Sequence, residues 1–143
     1  MTVRRILNHK GSDVLTIAPE KSLLEAIAAL TKHKIGALVV VGPKAEVVGI
    51  LSERDIVNLL ANKDANRFDN PVSSAMTSPA KTCSPNDTIT QLMHQMTVGR
   101  FRHMPVVENG KLVGVISIGD VVKLRLEEME RESEHLKNYI ATA

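Results

Sequence analysis

The chain repeats itself, and the repeat restricts the fold more than any other feature of its 143 residues. Thr16-Ile17-Ala18-Pro19 aligns with Thr82-Cys83-Ser84-Pro85, and Val40-Val41 with Val106-Val107. After a gap in one turn, Val48-Gly49-Ile50-Leu51-Ser52-Glu53-Arg54-Asp55 aligns with Val113-Gly114-Val115-Ile116-Ser117-Ile118-Gly119-Asp120. The same punctuation in the same order points to two similar units sharing one architecture.

Each copy reads as strand, helix, strand, strand, helix. A short strand, 14–17 in the first copy and 81–83 in the second, stops at a proline, which cannot continue a ladder in mid-sheet. The next helix opens on a capping-box pattern, Ser22 with Glu25 and Thr88 with Gln91. Apolar residues then recur at helical spacing: Leu23, Ala26, Ile27 and Leu30, and Ile89, Leu92, Met93 and Met96. Two hairpins follow, 37–41 with 47–51 and 104–107 with 112–116, joined at Gly42-Pro43-Lys44 and Glu108-Asn109-Gly110-Lys111. A second helix closes each copy, from Glu53 to about Asn62 and from Gly119 onward. The expected division is a first repeat over 1–66, with an opening helix near 3–8 packed on it, a polar linker over 67–79 with a helical piece near 72–76, and a second repeat over 80–143.

Aromatic residues are nearly absent (Phe68, Phe101 and Tyr139), so the core must be aliphatic. A net charge of +2, without a basic stripe interleaved with aromatics, argues against a nucleic-acid binder. The single cysteine, Cys83, has no partner for an internal disulfide and reads as a buried structural thiol in a reducing compartment. No signal-peptide-like stretch opens the chain, and the longest apolar run, 37–41, is too short to span a bilayer, so a cytoplasmic location is expected. His9, His33, His94 and His135 lack metal-ligand spacing, and no metal is expected. No nucleophile–base pair or phosphate loop is legible, and no enzymatic activity is expected.

The chemistry-bearing pattern is Gly-x-x-Ser-x-x-Asp at the strand-to-helix junction, present twice. Free N–H groups and the positive end of the helix dipole suit phosphate there. Gly49 and Gly114 would admit a ligand close to the backbone. Ser52 and Ser117 can donate to phosphate, while the two oxygens of Asp55 or Asp120 can accept both hydroxyls of a ribose. The same serine and acid also fit a plain helix cap, in which they only satisfy backbone donors.

With these junctions as its best carriers, nearly the whole chain resembles a tandem pair of CBS domains, the Bateman module. The resemblance implies a mixed α/β (α+β) fold, two β-α-β-β-α repeats packed sheet to sheet with pseudo-twofold symmetry. It implies two clefts that take adenosine-containing ligands such as AMP, ATP, NAD(H) or S-adenosylmethionine, with Asp55 or Asp120 on ribose and Ser52 or Ser117 facing phosphate. Thr16 and Thr82 match the family's strand hydroxyl near the ligand. Arg100-Phe101-Arg102-His103-Met104-Pro105 resembles the family's His-x-Pro-Val strand: Arg100 or Arg102 would supply positive charge at the second site, and His103, Met104 and Pro105 would wall the adenine. At the first site Arg54 can meet phosphate, but Gly36-Ala37 begins a strand lacking the histidine and proline, which weakens adenine binding there. No cofactor is required; the ligand is regulatory.

The last helix runs far past the repeat, to about Tyr139, with Leu124, Leu126, Met129, Leu136 and Ile140 apolar among alternating charges. So charged a helix needs something to bury against, which favours a dimer or partner contact. The expected protein is a homodimeric sensor acting on a separate effector protein, the alternative being a structural or protein-interaction module whose clefts stay empty.

Overall fold

The computed structural model describes residues 1–11, 13–62 and 68–142; the expected boundary between first repeat and linker, at 66 and 67, lies outside the described residues. The elements in order are α1 (Val3–Lys10), β1 (Thr16–Ile17), α2 (Leu23–His33), β2 (Ala37–Val41), β3 (Val47–Ser52), α3 (Glu53–Ala61), a single 3-10 turn (Val72–Ser74), α4 (Ile89–Gly99), β4 (His103–Glu108), β5 (Lys111–Ser117) and α5 (Ile118–Thr142). This is the expected mixed fold of two repeats, each a small sheet with helices, followed by a long C-terminal helix.

The first sheet has the order β1-β2-β3, with β1 parallel to β2 and β2 antiparallel to β3. The second keeps the hairpin β4-β5, but its first strand shrinks to one parallel bridge between Cys83 and Val106. The expected strand over 81–83 is thus corrected to a single paired residue, because Pro85 ends the ladder soon after it begins. Cys83 itself is buried, and burial together with the nearby Asp87 pushes its thiol up to about 12, so it stays protonated and inert.

Helix starts follow the side-chain logic of the sequence. Ser22 Oγ accepts from the Glu25 N–H, and Thr88 and Gln91 form a reciprocal capping box. The ends are less obvious: α2 and α4 stop at Lys34 and Arg100, each in the left-handed region at φ 53° and 56°. Glycine usually takes that position, yet Gly99 is the last helical residue and Arg100 makes the turn.

Two aliphatic cores lie one under each sheet. Leu23, Ala26, Leu30, Leu38, Val40, Leu51 and Val72 fill the first. Cys83, Ile89, Leu92, Met96, Met104, Val106, Ile116, Val121 and Leu124 fill the second together with Val3 and Ile6. The opening helix therefore packs on the second repeat, not the first as expected. Val3 N–H donates to Asp87 O and Arg4 N–H to Pro85 O, while the corresponding place on the first repeat is filled by Val72, whose N–H donates to Lys21 O. Each repeat is thus covered by the segment that precedes the other, an exchange that ties the halves together and carries Lys10 to the far side of the molecule.

Candidate functional site

Two clefts lie between the repeats. The larger, about 430 Å3, is lined by Gly36, Ser52, Glu53, Arg54 and Asp55 from the first repeat, by Thr77, Pro79 and Lys81 from the connecting segment, and by Arg100, Phe101, Arg102 and His103 from the second. The smaller, about 300 Å3, is lined by Lys10, Asp13, Ile35, Gly36, Ala37, Val39, His103, Val115 and Ser117 among others. Each cleft draws on both halves, which corrects one expectation. Arg100 and Arg102 line the same cleft as Ser52 and Asp55, not the one that holds Ser117, so the cations of the second repeat face the junction of the first.

At the larger cleft, strand β3 delivers Ser52 as the N-cap of α3, with Asp55 one turn on. Asp55 Oδ2 accepts from the Ser52 N–H at 2.8 Å and from Ser52 Oγ at 3.0 Å, and Asp55 Oδ1 accepts from Thr77 Oγ1 at 3.1 Å. The helix-cap reading of the motif is therefore real geometry, and a groove lies beside it all the same. Arg54 Nη1 donates to the Arg100 carbonyl at 2.6 Å, across the cleft at the C-terminal end of α4. It bridges the repeats instead of standing free for a phosphate. Four basic side chains (Arg54, Lys81, Arg100 and Arg102) against two acidic ones give this groove a positive balance.

At the smaller cleft the second junction is already engaged. Asp120 Oδ2 accepts from the Ser117 N–H at 2.9 Å and from Lys10 Nζ at 2.7 Å, and Lys10 also donates to the Val115 carbonyl. Partial burial works to raise the Asp120 pKa, but the hydrogen bonds and charge of Lys10, with those of Ser117, outweigh it and hold the carboxyl below its ordinary range. Lys10, Thr77 and Lys81 were not singled out in the sequence. Lys10 belongs to a helix that reads as ending at Asn8, and its reach to Asp120 depends on the exchanged packing of α1, which leaves no local signature.

The other expected site residues lie elsewhere. Met104 is fully buried in the second core, because alternation along β4 turns His103 to the clefts and Met104 away; it cannot wall an adenine. Pro105 is buried and lines neither cleft; its carbonyl accepts from the Cys83 N–H. Thr16 and Thr82 are exposed and border neither cleft. Gly49 and Gly114 are close-approach positions, but the chain itself approaches: a Cβ on Gly49 would meet the Thr77 carbonyl at 2.8 Å, and one on Gly114 would meet the Leu7 side chain. The space expected for ligand is occupied by protein.

His103 borders both clefts, and its ring lies on Gly36, where a Cβ would come within 2.9 Å of the imidazole Cε1. Burial, then the nearby Lys10, lower its pKa against the opposing pull of Glu53 and Asp120. The unfolded chain therefore takes up this proton at higher pH than the folded one, and His103's contribution to stability is complete above an unfolded value near ~6.5 and lost as pH falls toward the folded value. Urea titrations across this window should show stability rising with pH, and His103→Gln should flatten that part of the profile; an unchanged slope would place the titration on another group.

A duplicated sheet-and-helix unit whose strand-to-helix junctions open onto clefts between the copies defines a class of small tandem-repeat modules. The CBS domain family profile matches residues 3–62 and 72–127, and the chain belongs to that family as a tandem pair. It is 50% identical to a CBS-domain containing protein from Agrobacterium tumefaciens, whose crystal structure superposes with a TM-score of 0.84 over 87% of this chain and 99% of that one. Two more distant crystal structures share the fold at 24% identity. One is a CBS domain pair in complex with 5′-methylthioadenosine and S-adenosyl-L-methionine (TM-score 0.78, 90% of this chain and 98% of that one). The other is CBSX2 in complex with AMP (TM-score 0.74, with the same two coverages).

Proposed function

We propose that this chain is a regulatory module that binds an adenosine-containing nucleotide (AMP, ATP or NAD(H)) in the larger cleft and reports its occupancy to a separate effector protein in a reducing compartment such as the cytoplasm. The observation that carries this reading is the opposition of the Ser52–Asp55 junction to Lys81, Arg100 and Arg102 across one groove. A ribose diol can replace the hydroxyls of Ser52 and Thr77 on the Asp55 carboxylate while the Ser52 N–H stays bound to it and Ser52 Oγ still accepts from the Asp55 N–H, so the helix cap survives and the Ser52 O–H is freed to turn toward a phosphate. Arg100 and Arg102 then supply the charge that a phosphate needs. The adenosine moiety common to the ligands of the two distant relatives supports the same class of guest. At the smaller cleft Asp120 would take a ribose only after Lys10 had moved, which makes it the weaker of the two sites.

Binding to the folded state alone adds about 2.7 kcal/mol of stability at a hundredfold excess over Kd. Nucleotide-dependent melting should show such a gain, and Asp55→Ala should abolish it at the larger cleft while costing only about 1 kcal/mol of intrinsic stability for the lost cap. Asp120→Ala should leave that gain intact. One observation favours a purely structural module with empty clefts: both carboxylates already complete their own helices. A wild-type chain whose melting no nucleotide shifts would decide for that reading, whereas an Asp55→Ala protein that is less stable but responds normally would remove Asp55 from the ribose site.

A further inference from the structure

The repeat relates the two clefts, yet they present different walls to a guest. Asp55 borders the larger cleft. Its counterpart Asp120 does not border the smaller one. The side chain in that wall is Lys10, whose Nζ donates to Asp120 Oδ2 at 2.7 Å and to the Val115 carbonyl at 3.1 Å. The ammonium stands between the cleft and the carboxylate that a ribose would need. At the larger cleft the matching donor to the aspartate is the neutral Thr77 hydroxyl. A diol can replace that hydroxyl like for like, whereas displacing Lys10 breaks an ion pair.

The clefts differ in charge as well. Arg54, Lys81, Arg100 and Arg102 line the larger one. Matching bonds from the Glu53 N–H to the Gly36 carbonyl and from the Ile118 N–H to the Arg102 carbonyl fix the register of the repeat. In that register the counterparts of the four cations are Gly119, Leu15, Lys34 and Gly36. Three carry no charge, and Lys34 does not border the smaller cleft. Among the described residues Lys10 is the one lysine or arginine in that wall, and Asp120 neutralises it. Asp13 adds a negative charge that a phosphate would meet, and Val14, Leu15, Ile35, Ala37 and Val39 make much of the remainder apolar.

We propose that Lys10 is the specificity-determining residue of the smaller cleft: a tethered cation that closes it to nucleotides and that, when withdrawn, leaves a site for a nucleoside carrying no phosphate. The tether gives Lys10 a high effective concentration at Asp120, so a free guest competes at a disadvantage. The nature of the guest rests on the adenosine reading above, but the closure does not depend on what fills the larger cleft.

The test is calorimetric titration with adenosine and with AMP in an Asp55→Ala background, which silences the larger cleft. Adding Lys10→Ala should raise adenosine affinity at least tenfold, to one molecule per chain, with AMP at least tenfold weaker than adenosine. Asp120→Ala added to that pair should remove the binding. Lys10→Arg, which keeps the charge, should leave the cleft closed. Val3 and Ile6 still seat α1 when Lys10 is truncated, so the variant should melt cooperatively, and Lys10→Gln should open the cleft by a second route. Adenosine affinity indifferent to both Lys10→Ala and Lys10→Gln overturns the closure, as does opening by Lys10→Arg. An AMP affinity that falls on Lys10→Ala would make the lysine a phosphate ligand and overturns the proposal with the opposite sign. A wild-type chain that takes up no nucleotide while the Lys10→Ala variant binds adenosine would remove the reading of the larger cleft and leave this one standing. If no variant binds either probe, both fall.

Discussion

Met104→Ala is expected to lower the unfolding free energy by about 2–5 kcal/mol and to leave the ligand response of the larger cleft intact. The sequence context of Met104, between a histidine and a proline in a strand that resembles the family's ligand-facing one, makes it look like part of the cleft. The structure puts it at 0% exposure among Leu92, Val106, Ile116 and Val121, one step along the pleat from His103. Truncation therefore leaves a cavity under the second sheet that the surrounding side chains fill only in part. Urea denaturation measures the loss and nucleotide-dependent melting measures the response. A variant of near-normal stability with a lost response would return Met104 to the cleft.

Gly49→Ala should be the next most damaging, at about 1–3 kcal/mol, and distinctly worse than Gly114→Ala at the equivalent position of the second repeat. The methyl added at Gly49 meets the main-chain oxygen of Thr77 and the sulfur of Met76, both at 2.8 Å. Thr77 is pinned by reciprocal backbone hydrogen bonds with Ile50, so the connecting segment must shift bodily, taking with it the Thr77 hydroxyl that binds Asp55. At Gly114 the obstacle is the tip of Leu7, a rotatable side chain that can move aside. Comparing the two denaturation midpoints checks this directly, and equal costs would mean that the connecting segment yields as easily as a leucine.

These contrasts mark how far the sequence reaches. Periodicity and capping boxes are local, so the helices at Leu23 and Ile89 and both hairpins were legible, as was the family to which the duplicated junctions belong. The choice between helix cap and ligand group at Asp55 was open in the sequence and stays double in the structure, because one carboxylate has acceptor sites enough for both roles. What remained illegible was non-local. The exchanged packing of α1 and the 3-10 turn decides that Lys10 meets Asp120, that Leu7 covers Gly114 and that Thr77 covers Gly49. The meeting of the two repeats decides that Arg100 and Arg102 face the first junction. No pattern within a single repeat encodes how two repeats lie on each other.

The imidazole of His103, resting on Gly36, belongs to the wall of both clefts. A displacement of that ring would reshape both clefts at once. Were both clefts to take a guest, that shared wall would make their occupancies interdependent, and thermodynamic reciprocity would require the penalty or benefit to be identical whichever guest entered first.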